Sequence, residues 1–97
     1  DDNLTVLDVR KFNEFAEGHV KDAINLPLVE MTDVAQIAQL EENQNIYVHC
    51  AAGYRSTIAA SLLKRQGYHN LRNVLGGWER IKEQPGIPTE KEAKALN

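Results

Sequence analysis

A buried strand that runs almost directly into a helix constrains this chain more than any other feature. Ile46-Tyr47-Val48 is β-branched and aromatic and reads as a short strand. Thr57 to Arg65 reads as a helix beginning at about Arg55 or Ser56, with Ile58, Ala59, Leu62 and Leu63 on its core face. Between them lies His49-Cys50-Ala51-Ala52-Gly53-Tyr54-Arg55-Ser56. The chain's one cysteine therefore sits where the strand stops and the loop into the helix begins. The first turn of a helix carries backbone N–H groups without intrahelical partners, at the positive end of its dipole. A loop curled around the cysteine turns further N–H groups inward and makes an anion nest. A thiolate is favoured there over a thiol, so the cysteine becomes nucleophilic near neutral pH.

Each residue type in the loop has a use. Ala51 and Ala52 are small enough to let the backbone wrap the sulfur, and Gly53 supplies backbone angles closed to other residues. Arg55 places a fixed charge and a planar fork of donors beside the anion. Ser56 is a candidate cap for the helix. A lone cysteine is commonly just a small buried hydrophobe. That role needs neither a glycine nor an arginine within the next five positions, and both are present.

The remaining segments alternate between strand and helix patterns. Leu4 to Val9 is a nearly continuous apolar strand ending at Asp8, a carboxylate that either lies near the site or pairs locally with Arg10. Residues 11 to 17 predict a short helix with Phe12, Phe15 and Ala16 inward, closed by Gly18. His19 reads as a histidine bonding backbone groups at a turn, and Asp22 as a residue tolerant of left-handed angles. Ala23 to Leu26 is a strand stopped by Pro27, and Met31 to Leu40 shows helical spacing with Met31 in the core. Gln66-Gly67 ends the long helix, and Leu71 to Leu75 is a fourth strand. Gly76 and Gly77 follow it, at the side of the sheet where Cys50 lies, and permit a tight turn and a close backbone approach to the site. A last helix runs from Trp78 to Gln84. This alternation predicts an α/β fold, a parallel β-sheet of four to five strands flanked by helices on both faces.

At 97 residues the chain makes one domain, with 1–3 an N-terminal turn and 89–97 a C-terminal tail or short helix. A net charge of −3 offers no general attraction to nucleic acid or to an acidic membrane surface. No apolar run is long enough to span a bilayer. One cysteine and three scattered histidines leave no disulfide and no multi-cysteine metal site, so no metal is expected. A reactive single thiol suits a reducing compartment, and the expected location is cytoplasmic.

The stretch Cys50-Ala51-Ala52-Gly53-Tyr54-Arg55-Ser56 resembles the active-site loop of rhodanese-domain sulfurtransferases, Cys-x-x-Gly-x-Arg-Ser. Leu7-Asp8-Val9-Arg10, Glu14-Phe15, Gly18-His19-Val20 and Ala23-Ile24-Asn25-Leu26-Pro27 resemble the family's N-terminal signature, with Asp22 where it usually has glycine. Val74-Leu75-Gly76-Gly77-Trp78 resembles its C-terminal signature. The resemblance implies a rhodanese-like fold and transfer of a sulfane sulfur from thiosulfate or a low-molecular-weight persulfide. Cys50 would carry that sulfur as a persulfide and pass it to cyanide, sulfite or a thiol. Ala51 to Ser56, with Arg55 foremost, would bind substrate, and Asp8, Arg10, Gly76 and Gly77 would support the site. Tyr54 would line the mouth of the pocket. No cofactor is implied.

The partners so implied are a small sulfur donor and acceptor, and a sulfur-metabolism enzyme fused to or docked on the domain, such as a persulfide dioxygenase or a disulfide reductase. The family's usual first strand and helix have no counterpart before Leu4, which suggests a piece of a longer polypeptide or a missing element. Two other readings stand beside this one. A cysteine phosphatase or arsenate reductase also uses a cysteine-arginine loop, but typically with one residue more than the four between Cys50 and Arg55. An inactive rhodanese module used for docking or regulation commonly lacks the cysteine that is present here.

Overall fold

The computed structural model describes residues 3–91, so residues 1 and 2 of the expected N-terminal turn and 92–97 of the expected tail lie outside the described residues. Its elements, in chain order, begin with β1 (Leu4–Asp8), α1 (Phe12–Glu17), β2 (His19–Val20) and β3 (Ile24–Asn25). A 3₁₀ turn (Leu28–Glu30), α2 (Val34–Ile37), β4 (Asn45–His49) and α3 (Tyr54–Arg65) follow. The chain continues with β5 (Leu71–Asn73), α4 (Gly77–Ile81) and β6 (Thr89–Glu90).

Four strands form one parallel sheet in the order β3-β1-β4-β5. The apolar strands β1 and β4 take the centre, with Leu7, Ile46 and Val48 essentially excluded from water. From β1 the chain steps outward to β3, then returns past β1 to β4 and on to β5. Right-handed crossovers therefore put α1 on one face and α2 and α3 on the other. The contacts agree. The Tyr68 hydroxyl, just beyond α3, lies 2.9 and 2.7 Å from the carbonyls of Ile37 and Leu40 around the end of α2. Trp78 of α4 lies against Gly18, at the end of α1. The step direction reverses between β1 and β4, which opens a crevice at their C-terminal ends. Cys50 follows β4 directly into that crevice.

Several segments differ from expectation for identifiable reasons. The pattern over Met31 to Leu40 yields only the short α2, whose start Asp33 fixes by accepting from the Ala35 N–H at 3.0 Å and which ends at Ala38. Met31 precedes that cap and is buried in the core as expected. Phe12 is half exposed, and Phe15 alone of α1 is buried. In α3 the buried residues are Ser56, Ala59 and Leu63, whereas Ile58 is 54% exposed. The helix is thus rotated so that Ser56 faces inward in the first turn. Asp22 adopts φ +66°, the left-handed turn expected of it.

The segment beginning at residue 89 is neither tail nor helix at its start. β6 pairs antiparallel with β2, setting His19 opposite Glu90. His19 is buried, with Nδ1 2.7 Å from the Phe15 carbonyl and Nε2 3.2 Å from Glu90 Oε2. It is a structural histidine, as its turn position predicted.

Asp8 and Arg10 form a buried pair. The Arg10 Nη2 donates to Oδ2 at 2.7 Å and its Nε to Oδ1 at 3.0 Å, while the Arg10 backbone N–H also reaches Oδ1 at 3.0 Å. The same Nη2 donates to the Gly18 carbonyl at 2.7 Å, and the guanidinium lies 4.8 Å from the centre of the Trp78 ring. One cation therefore ties β1 to the end of α1 and to α4. Arg10→Ala strands a buried carboxylate and is expected to cost about 3–5 kcal/mol, read as a lowered urea midpoint.

Candidate active site

Cys50 is 1% exposed. Its sulfur receives the Gly53 N–H at 3.1 Å and lies 3.6 Å from the Ser56 hydroxyl, which in turn donates to the Gly53 carbonyl at 3.3 Å. Burial pushes the thiol up. Against that, the Ser56 hydroxyl and the N–H groups of Ser56, Gly53 and Ala52 hold its pKa below the ordinary value. Ser56 is not the helix cap. Gly53 takes that position at φ +120°, and the Ser56 side chain turns inward to the sulfur. Ala51 is half-buried and Ala52 exposed, and both lend backbone rather than side chain to the loop. Tyr54 opens α3 and is 84% exposed.

The far side of the loop is held by α4. The Trp78 N–H donates to the Cys50 carbonyl at 2.7 Å, and the Glu79 N–H to the Ala51 carbonyl at 3.1 Å. A Cβ on Gly77 would overlap the Cys50 carbonyl and come within 2.7 Å of the Ala51 carbonyl, at φ +52°. Gly77 is therefore the close approach that the glycine pair predicted. Gly76, at φ +81°, makes the turn, and a Cβ there would collide with the Arg80 side chain.

Arg55 is drawn into a two-toothed ion pair with Glu14 of α1, Nη1 to Oε1 at 2.7 Å and Nη2 to Oε2 at 3.1 Å. That pairing holds the Glu14 carboxyl below its usual range and raises the Arg55 pKa. The sequence reading gave Glu14 no role at the site. An arginine entering a crevice needs a fixed counter-charge, and that requirement was the available signal.

Asp8 and Arg10 stand behind the loop and reach it through His49. Asp8 and His49 are register partners on β1 and β4. The His49 Nδ1 lies 3.1 Å from the Cys50 carbonyl, which can only accept, so Nδ1 carries a proton. Its Nε2 is buried without a hydrogen-bond partner, 3.6 Å from Asp8 Oδ2. Burial pushes the His49 pKa below its ordinary value, with Asp8 acting in the opposite direction. A histidine ending a buried strand was visible in the sequence, yet it received no role. Among the described residues no group of histidine, cysteine and carboxylate side chains is placed to hold a metal ion.

A parallel sheet with a cysteine-arginine loop at its switch point defines a small class of proteins. The model of the rhodanese-like domain family matches residues 1–84, and the chain belongs to that family. It is 38% identical over 77 residues to the putative sulfur carrier protein YrkF of Bacillus subtilis, covering 79% of this chain and 40% of that protein. It is 34% identical over 70 residues to the thiosulfate sulfurtransferase PspE of Escherichia coli, covering 72% of this chain and 67% of PspE. The crystal structure of the Alr3790 protein from Anabaena superposes with a TM-score of 0.81 at 31% identity, covering 94% of this chain and 70% of that one. The chain thus spans less than half of the sulfur carrier's length.

Two outcomes are expected at the site. The rate of Cys50 alkylation against pH has its midpoint below the free-thiol value of about 8.5, and Ser56→Ala moves it upward. Separately, His49 is neutral in the folded chain at pH values where the unfolded chain, with a value near 6.5, still binds a proton. Stability therefore rises with pH through that window and falls as the solution is acidified below about 6.5. Urea midpoints at a series of pH values measure this, and His49→Gln flattens the dependence.

Proposed function

We propose that the chain is a rhodanese-type sulfurtransferase that carries sulfane sulfur on Cys50. The observation supporting this most directly is the small nest around a buried sulfur: one N–H at 3.1 Å, the Ser56 hydroxyl at 3.6 Å, and only four residues between Cys50 and Arg55. In the first half-reaction the Cys50 thiolate attacks the outer sulfur of thiosulfate. The donor's S–S bond breaks, sulfite leaves with the electron pair, and Cys50 holds a persulfide anion. In the second half-reaction cyanide, sulfite or a thiolate attacks the terminal sulfur, and the Cys50 thiolate returns. The N–H groups of Ala52, Gly53 and Ser56 stabilise the anion in both states, and the Ser56 hydroxyl swings between the Gly53 carbonyl and the sulfur. Glu14 fixes Arg55 so that its remaining N–H groups face the donor, and Tyr54 stands at the mouth. Asp8 and Arg10 support the loop from behind. The chemistry calls for no cofactor, and a reactive thiol suits the cytoplasm. The domain can serve within, or dock against, a larger sulfur-handling protein.

The test is thiosulfate:cyanide transfer measured beside phosphatase turnover. Transfer without phosphatase activity is expected. Cys50→Ser abolishes transfer, and mass spectrometry of the native chain after thiosulfate finds one added sulfur on Cys50. Ser56→Ala loses a bond to a charged sulfur worth about 1.5–3 kcal/mol and slows transfer roughly ten- to a hundredfold. Inserting one glycine between Gly53 and Tyr54 widens the nest, lowers sulfur transfer, and strengthens inhibition by phosphate or arsenate. Unchanged transfer after that insertion means that loop size does not separate sulfur from phosphorus chemistry here.

A further inference from the structure

The side-chain charges around the Cys50 loop cancel in pairs. Arg10 holds Asp8, and Glu14 takes both terminal nitrogens of Arg55 at 2.7 and 3.1 Å. Glu79, in the first turn of α4, lies 3.6 Å from the Lys82 ammonium. Lys11 is exposed, and solvent screens its charge. Glu14 is anchored in its own helix, where its Oε1 also accepts the Lys11 backbone N–H at 3.0 Å. The Arg55 and Glu14 side chains are 32% and 31% exposed, so both charges are within reach of an arriving solute. Arg55 stands one residue before Ser56, whose hydroxyl lies 3.6 Å from the sulfur. The Arg55 pKa is raised chiefly by its bonds to Glu14, and the charges of Cys50 and Asp8 act on it in the same direction. The guanidinium and the sulfur are thus within electrostatic reach of each other, and Glu14 touches that guanidinium. Arg10 and Arg55 against Asp8, Glu14 and an ionised Cys50 leave one net negative charge at the site.

We propose that Glu14 is a specificity-determining residue that selects among sulfur donors by charge, favouring a singly charged donor over a doubly charged one. The inference rests on the sulfurtransferase reading, which uses Glu14 only to orient Arg55. Of the five N–H donors of Arg55, Glu14 takes two, and the remainder can still fork onto one edge of an oxyanion. Glu14 leaves that fork in place and cancels its charge. A donor therefore gains hydrogen bonds at Arg55 without a net attraction, and meets the repulsion of the thiolate it must approach. That repulsion grows in proportion to the donor's charge. Thiosulfate arrives with two negative charges and methanethiosulfonate with one, and both carry their outer sulfur on an oxidised sulfur. In either case the Cys50 thiolate attacks the outer sulfur and the S–S bond breaks. Sulfite or methanesulfinate leaves with the electron pair, Cys50 becomes a persulfide anion, and the total charge is unchanged.

The experiment measures the second-order loading of Cys50 by thiosulfate and by methanethiosulfonate, using rapid quench and mass spectrometry, at ionic strengths from about 0.01 to 0.5 M. The native chain is compared with Glu14→Gln, which keeps an acceptor oxygen for Arg55 but loses the charge. Glu14→Asp keeps the charge on a shorter arm, and thermal melting verifies each fold. At low salt Glu14→Gln is expected to speed loading by methanethiosulfonate about two- to threefold. Thiosulfate gains the square of that factor, about four- to ninefold, because each unit of donor charge feels the removed carboxylate equally. High salt shrinks both gains, and Glu14→Asp retains the native ratio of the two donors. In the native chain alone, thiosulfate loading rises with ionic strength, more steeply than methanethiosulfonate loading, which tests the proposal without any variant. Four results overturn the role of Glu14 while leaving sulfur transfer standing: equal changes for the two donors in Glu14→Gln, slower loading of both, a donor ratio that Asp shifts as far as Gln does, or native thiosulfate loading that falls with salt. Failure of both donors to load either the native chain or Glu14→Gln overturns the sulfurtransferase reading itself.

Discussion

A planar trans peptide cannot point its N–H one way without pointing its carbonyl the other, and the site depends on that constraint. Aiming the Ala52 N–H at the Cys50 sulfur turns the Ala51 carbonyl of the same peptide away from it, and the Cys50 carbonyl before it is likewise turned out toward α4. Buried carbonyls need donors. The first turn of α4 supplies them, with Trp78 N–H on the Cys50 carbonyl and Glu79 N–H on the Ala51 carbonyl. The approach is possible only because Gly77 has no Cβ to meet those same oxygens. Two helix starts therefore meet across one loop. The first turn of α3 faces the sulfur, and the first turn of α4 restrains the backbone that carries it. A left-handed glycine pair beginning 26 residues along the chain from Cys50 is in this sense part of the cysteine's environment.

The charged residues follow the same logic of fixing backbone. Arg10 neutralises Asp8, accepts the face of Trp78 and closes onto the Gly18 carbonyl, so it joins the three elements that must hold still if α4 is to keep its grip on the loop. Gly18 is extended at φ 164°, so its need is space and not backbone freedom. A Cβ there would meet the Trp78 ring at 3.1 Å. His49 completes the layer by donating to the Cys50 carbonyl beside Trp78. Its second nitrogen faces a carboxylate across 3.6 Å without a bond. Burial holds the His49 ring toward its neutral form, and Asp8 acts against that.

What was legible in the sequence follows from what leaves a local signature. The βα turn at Cys50, the left-handed Asp22, and the glycines at 76 and 77 each demand a particular backbone, and each is found where the residue types put it. The sheet was legible because apolar runs of strand length alternate with helical spacing. Partnerships across the chain were not. Glu14 and Arg55 are 41 positions apart, and β2 and β6 are two-residue strands too short to carry any period. Ile58 and Ser56 show the other limit. Hydrophobic spacing alone turns Ile58 inward, but the helix is rotated to bury Ser56 against the Cys50 sulfur and the Gly53 carbonyl, which leaves Ile58 in water.

Loop length joins the geometry to the chemistry. Between Cys50 and the first turn of α3 there are few peptide units to contribute N–H groups, and two of the carbonyls in that stretch are already held by α4. The nest is correspondingly small, with the Gly53 N–H 3.1 Å from the sulfur and the Ser56 hydroxyl 3.6 Å away. A tetrahedral oxyanion needs donors for several oxygens at once. Arg55 does not enlarge the nest, because Glu14 holds both of its terminal nitrogens and draws the guanidinium toward α1. Arg55 also borders a cavity walled by Val9, Pro27, Leu28 and Val29. Stabilisation of the cysteine's own charge falls to Ser56 and the backbone.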